Sequence, residues 1–159
     1  MRAAGLLTAL LLLTACQEPV PYEVPLLPEP MMAKRLQNAC ARASAAGKPL
    51  LVEFSASWCP SCNDLLQKEH REPLTAELAQ WERVDVNVGQ GNQHTALMTA
   101  YGVKSIPHWT VLFGADCSKP AYEWEPALSR VAPSGNTRSV TEHLEVIRRT
   151  LLAGEPLPT

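Results

Sequence analysis

The sequence predicts a single α/β domain in which a mixed β-sheet is flanked by helices on both faces. Short apolar segments with strand character alternate with segments rich in helix formers, in the order α-β-α-β-α-β-β-α. The chain has 159 residues, 46% of them hydrophobic and 19% charged, which suits one domain with its own core and excludes a chain disordered throughout. Its formal net charge of -2 gives no basic surface for nucleic acid, so we expect no DNA or RNA partner.

The first half of the domain begins with a helix at residues 31–47, which are rich in helix formers and end at a glycine. An apolar run with β-branched and aromatic residues follows at residues 50–57 and indicates a buried strand. A second helix is expected at residues 59–70, with a proline in its first turn. Pro73 interrupts the helical pattern, which resumes at residues 74–81.

The second half adds three strands and two helices by the same criteria. The strands are predicted at residues 82–88, 108–114 and 121–126, and the helices at residues 94–101 and 139–152. Asn92 is suited to cap the first of these helices. Ser139 and Glu142 form a capping box that opens the last helix, and Gly154 ends it.

The N-terminus has the pattern of a cleaved leader. Arg2 precedes an uncharged, mostly apolar stretch at residues 3–15, which as a helix would rise about 20 Å against a hydrocarbon core of about 30 Å. This length favours a signal peptide over a membrane span. The stretch ends in Leu13-Thr14-Ala15-Cys16, which resembles the lipobox of bacterial lipoproteins. That resemblance implies that residues 1–15 are removed and that Cys16 is lipidated, with palmitate among the expected lipids.

The region after the leader sets the expected location and domain boundaries. A lipidated Cys16 implies a protein anchored in the cell envelope and facing the periplasm. The next residue is Gln17 rather than an aspartate, which favours the outer membrane over the inner membrane. The alternative is a secreted protein in which Cys16 is incidental. Residues 16–30 hold five prolines and predict an extended, unpacked tether that reaches about 40 Å. The domain is predicted at residues 31–154, followed by a tail at residues 155–159.

The motif that carries chemistry is Trp58-Cys59-Pro60-Ser61-Cys62, between a predicted strand and a predicted helix. Here the sequence resembles the thioredoxin superfamily, whose signature is W-C-x-x-C at a helix start after a strand. Residues 101–107, YGVKSIP, match the family segment in which a cis proline faces the cysteines. The resemblance covers most of residues 31–154. It implies a thioredoxin-like fold and a thiol–disulfide oxidoreductase, similar to bacterial periplasmic enzymes.

The two cysteines of the motif have different expected roles. Free N–H groups and the positive end of the helix dipole favour a thiolate at Cys59, so Cys59 is predicted to attack a substrate disulfide. Cys62 lies one turn further in and is predicted to resolve the mixed disulfide. The resemblance implies that Glu53, six residues before Cys59, is a buried acid that exchanges a proton with Cys62. It also implies that Pro107 presents backbone to an incoming peptide. The residues expected to contact substrate are Trp58, Pro60, Ile106 and Pro107.

Each of these assignments has a structural alternative. In the alternative to a proton-exchange role, Glu53 is an exposed strand residue. In the alternative to substrate contact, Trp58 is a core residue. His108 is expected to be a strand residue rather than a group that tunes the cysteines. Arg83 stands roughly where thioredoxins place a lysine beside the buried acid. Asn63 departs from the lysine that relatives carry after the second cysteine.

The function predicted from these residues is thiol–disulfide exchange with protein substrates, as a reductase or isomerase rather than an oxidase. The expected partners are protein thiols and disulfides and a membrane thiol protein that donates or accepts electrons. No cofactor and no metal are expected, because the chain has one CxxC and its histidines are scattered, whereas zinc needs four ligands. The alternative is a thioredoxin-like copper-binding metallochaperone or adaptor. Such relatives use CxxxC with a distal histidine, and the loop here is one residue shorter.

Two cysteines remain once the others are assigned. Cys40 falls in the first predicted helix and Cys117 in the loop after the third predicted strand. They form either a structural disulfide or two separate thiols. A Cα–Cα distance above about 7 Å would exclude the disulfide.

Overall fold

The computed structural model describes residues 19–115, 117, 119–124 and 137–157, and shows a four-stranded mixed sheet in the order β2-β1-β3-β4. The strands are β1 (Leu50–Ser55), β2 (Glu82–Asn87), β3 (His108–Leu112) and β4 (Tyr122–Trp124). The helices are α1 (Glu29–Ala46), α2 (Pro60–Glu69), α3 (Leu74–Leu78), α4 (Thr95–Ala100) and α5 (Thr137–Ala153). β1 pairs with β2 in parallel and with β3 antiparallel, and β3 pairs antiparallel with β4. The predicted mixed sheet is confirmed.

The sheet separates two apolar cores, because successive side chains of a strand point to opposite faces. Val52 and Phe54 of β1 pack with the buried face of α1 in the first core, which residues of α4 also contact. Leu51 of β1 packs in the second core, with Trp109 of β3 and apolar residues of α3 and α5. All six residues of β1 are buried, as expected for a central strand covered on both faces. Helices therefore cover both faces, as predicted.

Element boundaries differ from the predicted ones in several places. The helix α1 begins at Glu29, because Pro28 takes the capping position and Pro30 suits the first turn. The residue that precedes α4 is His94, in a left-handed conformation at φ 58°, so Asn92 is not the cap. The capping box at Ser139 is also wrong, because α5 already includes Thr137 and Ser139 lies inside the helix.

The predicted unpacked tether is wrong for residues 19–28, called the N-terminal segment below. This segment has no helix or strand up to Pro28, but it lies against the domain. The Gln67 side chain accepts a hydrogen bond from Val20 N at 2.8 Å and donates one to Val20 O at 2.7 Å. Asn87 Nδ2 donates to Val24 O at 2.8 Å. Side-chain amides of the domain thus satisfy backbone groups of a segment whose prolines exclude it from a ladder.

The predicted leader and Cys16 lie outside the described residues. Among the residues that are described, no helix is both long and apolar enough to cross a bilayer. Of the predicted C-terminal tail, residues 155–157 are described, and Leu157 packs against the second core.

Candidate active site

The two cysteines of the CxxC motif are joined by a disulfide at the start of α2, with a Cα–Cα distance of 5.3 Å. Cys59 occupies the N-cap position, and the backbone N–H of Cys62 donates to Cys59 Sγ at 3.1 Å. A side chain at this position receives hydrogen bonds from the free N–H groups of the first turn. After reduction the same N–H group faces the sulfur of Cys59 and favours its thiolate.

A cis-proline loop lies beside the disulfide. The Ile106–Pro107 peptide bond is cis, and Cys59 Sγ lies 3.7 Å from the Ile106 carbonyl oxygen. Trp58, the residue before the motif, leaves half of its surface exposed and donates its indole N–H to Gly89 O at 2.6 Å. The exposed indole and the cis-proline backbone therefore lie close to the reactive sulfur, where an extended substrate could contact both.

Glu53 is a buried residue of β1, not an exposed strand residue. Arg83 of β2 lies beside it, with 3.4 Å between Arg83 Nη2 and Glu53 Oε2. The same nitrogen contacts Glu69 Oε2 at 2.6 Å and Asp85 Oδ1 at 3.5 Å. Arg83 is thus the cation next to the buried acid, at the place where the resemblance puts a lysine.

Glu69 was not predicted from the sequence. The buried residues of α2 are Cys62, Leu65 and Glu69, which share one face of the helix at spacings of three and four residues. Glu69 therefore lies two turns below the second cysteine, on the side that faces β1 and β2. An acidic residue on the buried stripe of a helix is the signal that would have identified it.

Burial raises the pKa of the Glu53 carboxyl well above its usual range. The charge of Glu69, a hydrogen bond with Glu69 and the charge of Asp85 raise this pKa further, and Arg83 acts in the opposite direction. Burial alone would lower the pKa of Arg83, but the three carboxylates outweigh it and raise that pKa, so Arg83 stays charged. The site thus combines a permanent cation with a carboxyl that binds a proton readily.

A cavity of about 130 Å³ connects the acid to the second cysteine. Its lining residues include Tyr22, Glu53, Cys62, Glu69, Arg83 and Asp85. On one side the N-terminal segment closes it, where the Tyr22 hydroxyl lies 3.0 Å from Ser55 Oγ. Cys62 and Glu53 therefore face one small shared space through which a proton can pass.

The histidines lie on separate elements. His108 is a buried residue of β3, with its ring edge-on to Phe54 at a centroid distance of 6.2 Å. His143 of α5 packs against Trp124 at 4.4 Å, in the other core. Within the described ranges, no group of three or more His, Cys, Asp and Glu residues is placed to hold a metal ion.

The remaining cysteines form the disulfide rather than two separate thiols. Cys40 of α1 is bonded to Cys117, with a Cα–Cα distance of 6.2 Å across 77 residues of sequence. Both residues pack against the first core. This second disulfide connects α1 to the loop that follows β3.

Comparisons with known proteins agree with this geometry. The profile of the thioredoxin-like family matches residues 31–114. The chain is 33% identical to a thioredoxin of Streptomyces clavuligerus over 86 residues, which are 54% of this chain and 76% of that protein.

Two solved structures share the fold at low sequence identity. A disulphide isomerase from Xylella fastidiosa Temecula1 superposes with a TM-score of 0.65 at 23% identity, covering 78% of this chain and 96% of its own. Fasciola hepatica thioredoxin superposes with a TM-score of 0.51 at 20% identity, covering 71% of this chain and 91% of its own. The chain therefore belongs to the thioredoxin-like family, and it is a thiol–disulfide oxidoreductase.

Proposed function

We propose that this protein exchanges disulfides with protein substrates in the bacterial cell envelope, and that it works as a reductase or isomerase. The observation that carries this proposal is the Cys59–Cys62 disulfide at the start of α2, directly beside the cis Ile106–Pro107 peptide. The reactive sulfur and the backbone that would pair with a peptide lie on the same side of the domain. A protein substrate can therefore reach the sulfur while its backbone is held.

The reaction follows from the different positions of the two cysteines. The Cys59 thiolate attacks one sulfur of the substrate disulfide, the substrate S–S bond breaks, and the other substrate sulfur leaves as a thiolate. Cys62 then loses its proton to Glu53 and attacks the Cys59 sulfur. The Cys59–Cys62 bond forms, the mixed disulfide breaks, and the second substrate sulfur leaves. Two electrons pass from the protein to the substrate.

Trapping of the mixed disulfide tests these roles. In the Cys62→Ala variant the first attack still occurs but nothing resolves it, so dithiothreitol-sensitive complexes with envelope proteins should accumulate. The matched variant Cys59→Ala keeps one thiol of the motif but lacks the one at the helix start, so it should trap few partners. Equal trapping by the two variants, or the reverse order, would contradict the assignment. If neither traps a partner and the purified protein retains Cu(I) stoichiometrically, the copper-binding function replaces ours.

The redox direction is proposed from the residues around the motif. Trp58 and Ile106 match reducing members of the family, whereas Pro60 matches the strongly oxidising periplasmic enzymes. We expect a potential between about -270 mV, typical of thioredoxin, and about -180 mV, typical of disulfide isomerases. Equilibration with glutathione buffers measures it. A potential close to about -120 mV would mark the protein as an oxidase instead.

The location is proposed from the lipobox at Cys16. With the N-terminal segment held on the domain, the four residues from Cys16 to Val20 span at most about 14 Å, so the active site would lie near the membrane. An outer-membrane anchor and a membrane thiol protein as electron partner fit this placement. The full-length protein should enter the detergent phase and incorporate labelled palmitate, and Cys16→Ser should do neither. A Cys16→Ser protein that is cleaved and still enters detergent would contradict lipidation.

A further inference from the structure

Glu53 and Glu69 form a pair of buried carboxyls that share one cation. Their side chains are 8% and 4% exposed, and both contact Nη2 of Arg83. The contact to Glu69 Oε2 is the shorter, at 2.6 Å against 3.4 Å to Glu53 Oε2. Arg83 therefore pairs mainly with Glu69, and its electrostatic attraction to Glu53 is weaker.

The charges around this pair do not balance when every acid is ionised. Three carboxyls, those of Glu53, Glu69 and Asp85, lie within 3.5 Å of one guanidinium nitrogen. Asp85 is about one-third exposed and is stabilised by water, but the other two are not. One guanidinium neutralises only one of the two buried carboxylates, and ionising both would leave an uncompensated buried charge, so the pair retains a proton.

An unpartnered oxygen indicates where that proton lies. Glu69 Oε1 is buried and, as long as Glu53 is ionised, no N–H or O–H group of the described residues donates to it. A protonated Glu53 carboxyl would supply the missing donor. Glu69 thereby becomes the acceptor that keeps the proton on Glu53, the acid that faces Cys62 across the cavity.

We propose that Glu69 is a positioning residue for proton transfer at Cys62, and that Glu53 and Glu69 hold one proton between them. This proposal rests on thiol–disulfide exchange at the cysteine pair. When an incoming thiolate attacks Cys59, the Cys59–Cys62 bond breaks and a new bond joins Cys59 to the incoming sulfur. Cys62 leaves with the electron pair of the broken bond and takes the proton from Glu53, which becomes a carboxylate. In the reverse direction the carboxylate removes the proton from Cys62, and Glu69 makes it a stronger base.

Titratable and charged groups face Glu53 from each element packed around the cavity. They are Cys62 and Glu69 of α2, His70 at the C-cap of that helix, Arg83 and Asp85 of β2, and Tyr22 of the N-terminal segment. The residue of β3 paired with Glu53 is Trp109, which does not titrate. Among these groups Glu69 is the carboxyl with the closest contact to the shared cation, so its removal frees Arg83 to pair with Glu53.

Carboxyl NMR titration of the oxidised full-length protein tests the pair without relying on activity. In the wild type, the Glu53 side-chain signal should stay that of a protonated carboxyl to higher pH than the signal of an exposed glutamate. In Glu69→Gln, Glu53 should titrate in one step at a pH lower by about one unit or more, the usual effect of a nearby charge. A wild-type Glu53 signal that follows the pH dependence of an exposed glutamate overturns the proposal, whether or not the variant folds.

Glu77→Gln is the matched control. Glu77 is also a buried glutamate bonded to an arginine, with 2.7 Å between Glu77 Oε1 and Arg148 Nε, but it lies on α3 beside Trp81 of the second core. Its replacement removes a similar ion pair and should leave the Glu53 titration unchanged. A shift of equal size in Glu77→Gln and Glu69→Gln would show a general effect of destabilisation and would overturn the proposal.

A kinetic measurement connects the pair to the cysteines. The rate of Cys59–Cys62 reduction by dithiothreitol, divided by the concentration of reductant thiolate, should fall as Glu53 loses its proton. This fall should occur at lower pH in Glu69→Gln by the same shift as the NMR titration, and at the wild-type pH in Glu77→Gln. An unshifted kinetic profile overturns the positioning role. If the pair titrates as expected but the protein reduces no protein disulfide, the proposed function fails and the shared proton stands.

Discussion

Removal of the Cys40–Cys117 disulfide should lower the stability of this protein more than removal of the redox-active one. The bond connects residues 77 apart, so in the chain-entropy account it restricts a long loop of the unfolded chain. That account gives about 4.5 kcal/mol for a loop of this length. The Cys59–Cys62 bond joins cysteines separated by 3 residues in sequence, for which the chain-entropy account gives about 1.6 kcal/mol. The difference of about 2.9 kcal/mol depends on loop length alone.

Urea unfolding of two double variants measures this difference. The variant Cys40→Ala/Cys117→Ala should lose about 4.5 kcal/mol, a midpoint shift of about 1.5 M or more for a domain of this size. The matched variant Cys59→Ala/Cys62→Ala should lose about 1.6 kcal/mol. Peptide mapping without reductant should recover the peptides linked through Cys40 and Cys117 from the wild type and from Cys59→Ala/Cys62→Ala, but not from Cys40→Ala/Cys117→Ala. If the first variant loses no more free energy than the second, the long loop is not the source of stability.

Three further predictions concern single side chains. Because the folded-state pKa of Glu53 is raised, its contribution to stability is complete at acid pH and is lost as pH rises through that pKa. Between the pKa of a glutamate in the unfolded chain and the higher pKa of Glu53 in the folded protein, the wild-type free energy of unfolding should therefore fall by up to about 1.4 kcal/mol per pH unit. Glu53→Gln should flatten this dependence on pH. Gln67→Ala removes both hydrogen bonds to Val20 and should increase proteolysis of the N-terminal segment while costing about 1–2 kcal/mol in urea unfolding. Glu77→Ala leaves Arg148 without its bidentate partner and should cost about 3 kcal/mol by the same assay, and a loss under about 1 kcal/mol would contradict a buried pair.

The strand–cysteine–helix unit was predictable because its signals are local. An apolar run marks β1, and a cysteine followed by proline marks the start of α2, as the structure has them. These two elements position Cys59 at the end of a buried strand, with the N–H groups of the helix directed at its sulfur. The family, predicted from this segment and residues 101–107, is confirmed, and so is the mixed sheet, predicted from the order of elements. The roles assigned to the individual site residues stay predictions.

Two features were missed or left open because they join distant parts of the chain. The docking of the N-terminal segment depends on Gln67 and Asn87, which lie 47 and 63 residues from the backbone groups that they contact. A proline-rich composition predicts extended backbone, but it does not show which side chains of the domain form hydrogen bonds with that backbone. The Cys40–Cys117 pairing likewise needed the packing of α1 beside the loop after β3.

The sequence by itself determined which residues can do chemistry, because the reactivity of a cysteine at a helix start depends on groups within one turn of it. It also determined the order of elements, since burial periodicity is a local property of each segment. The tertiary structure alone decided that Glu69 and Asp85 join Arg83 around Glu53, since the resemblance implied only the cation. Arg83 is 30 residues away and Glu69 is 16, and the parallel pairing of β1 with β2 and the crossing of α2 bring both within reach. A buried acid takes its proton affinity from such neighbours and from the absence of water, and both arise only when the chain is packed.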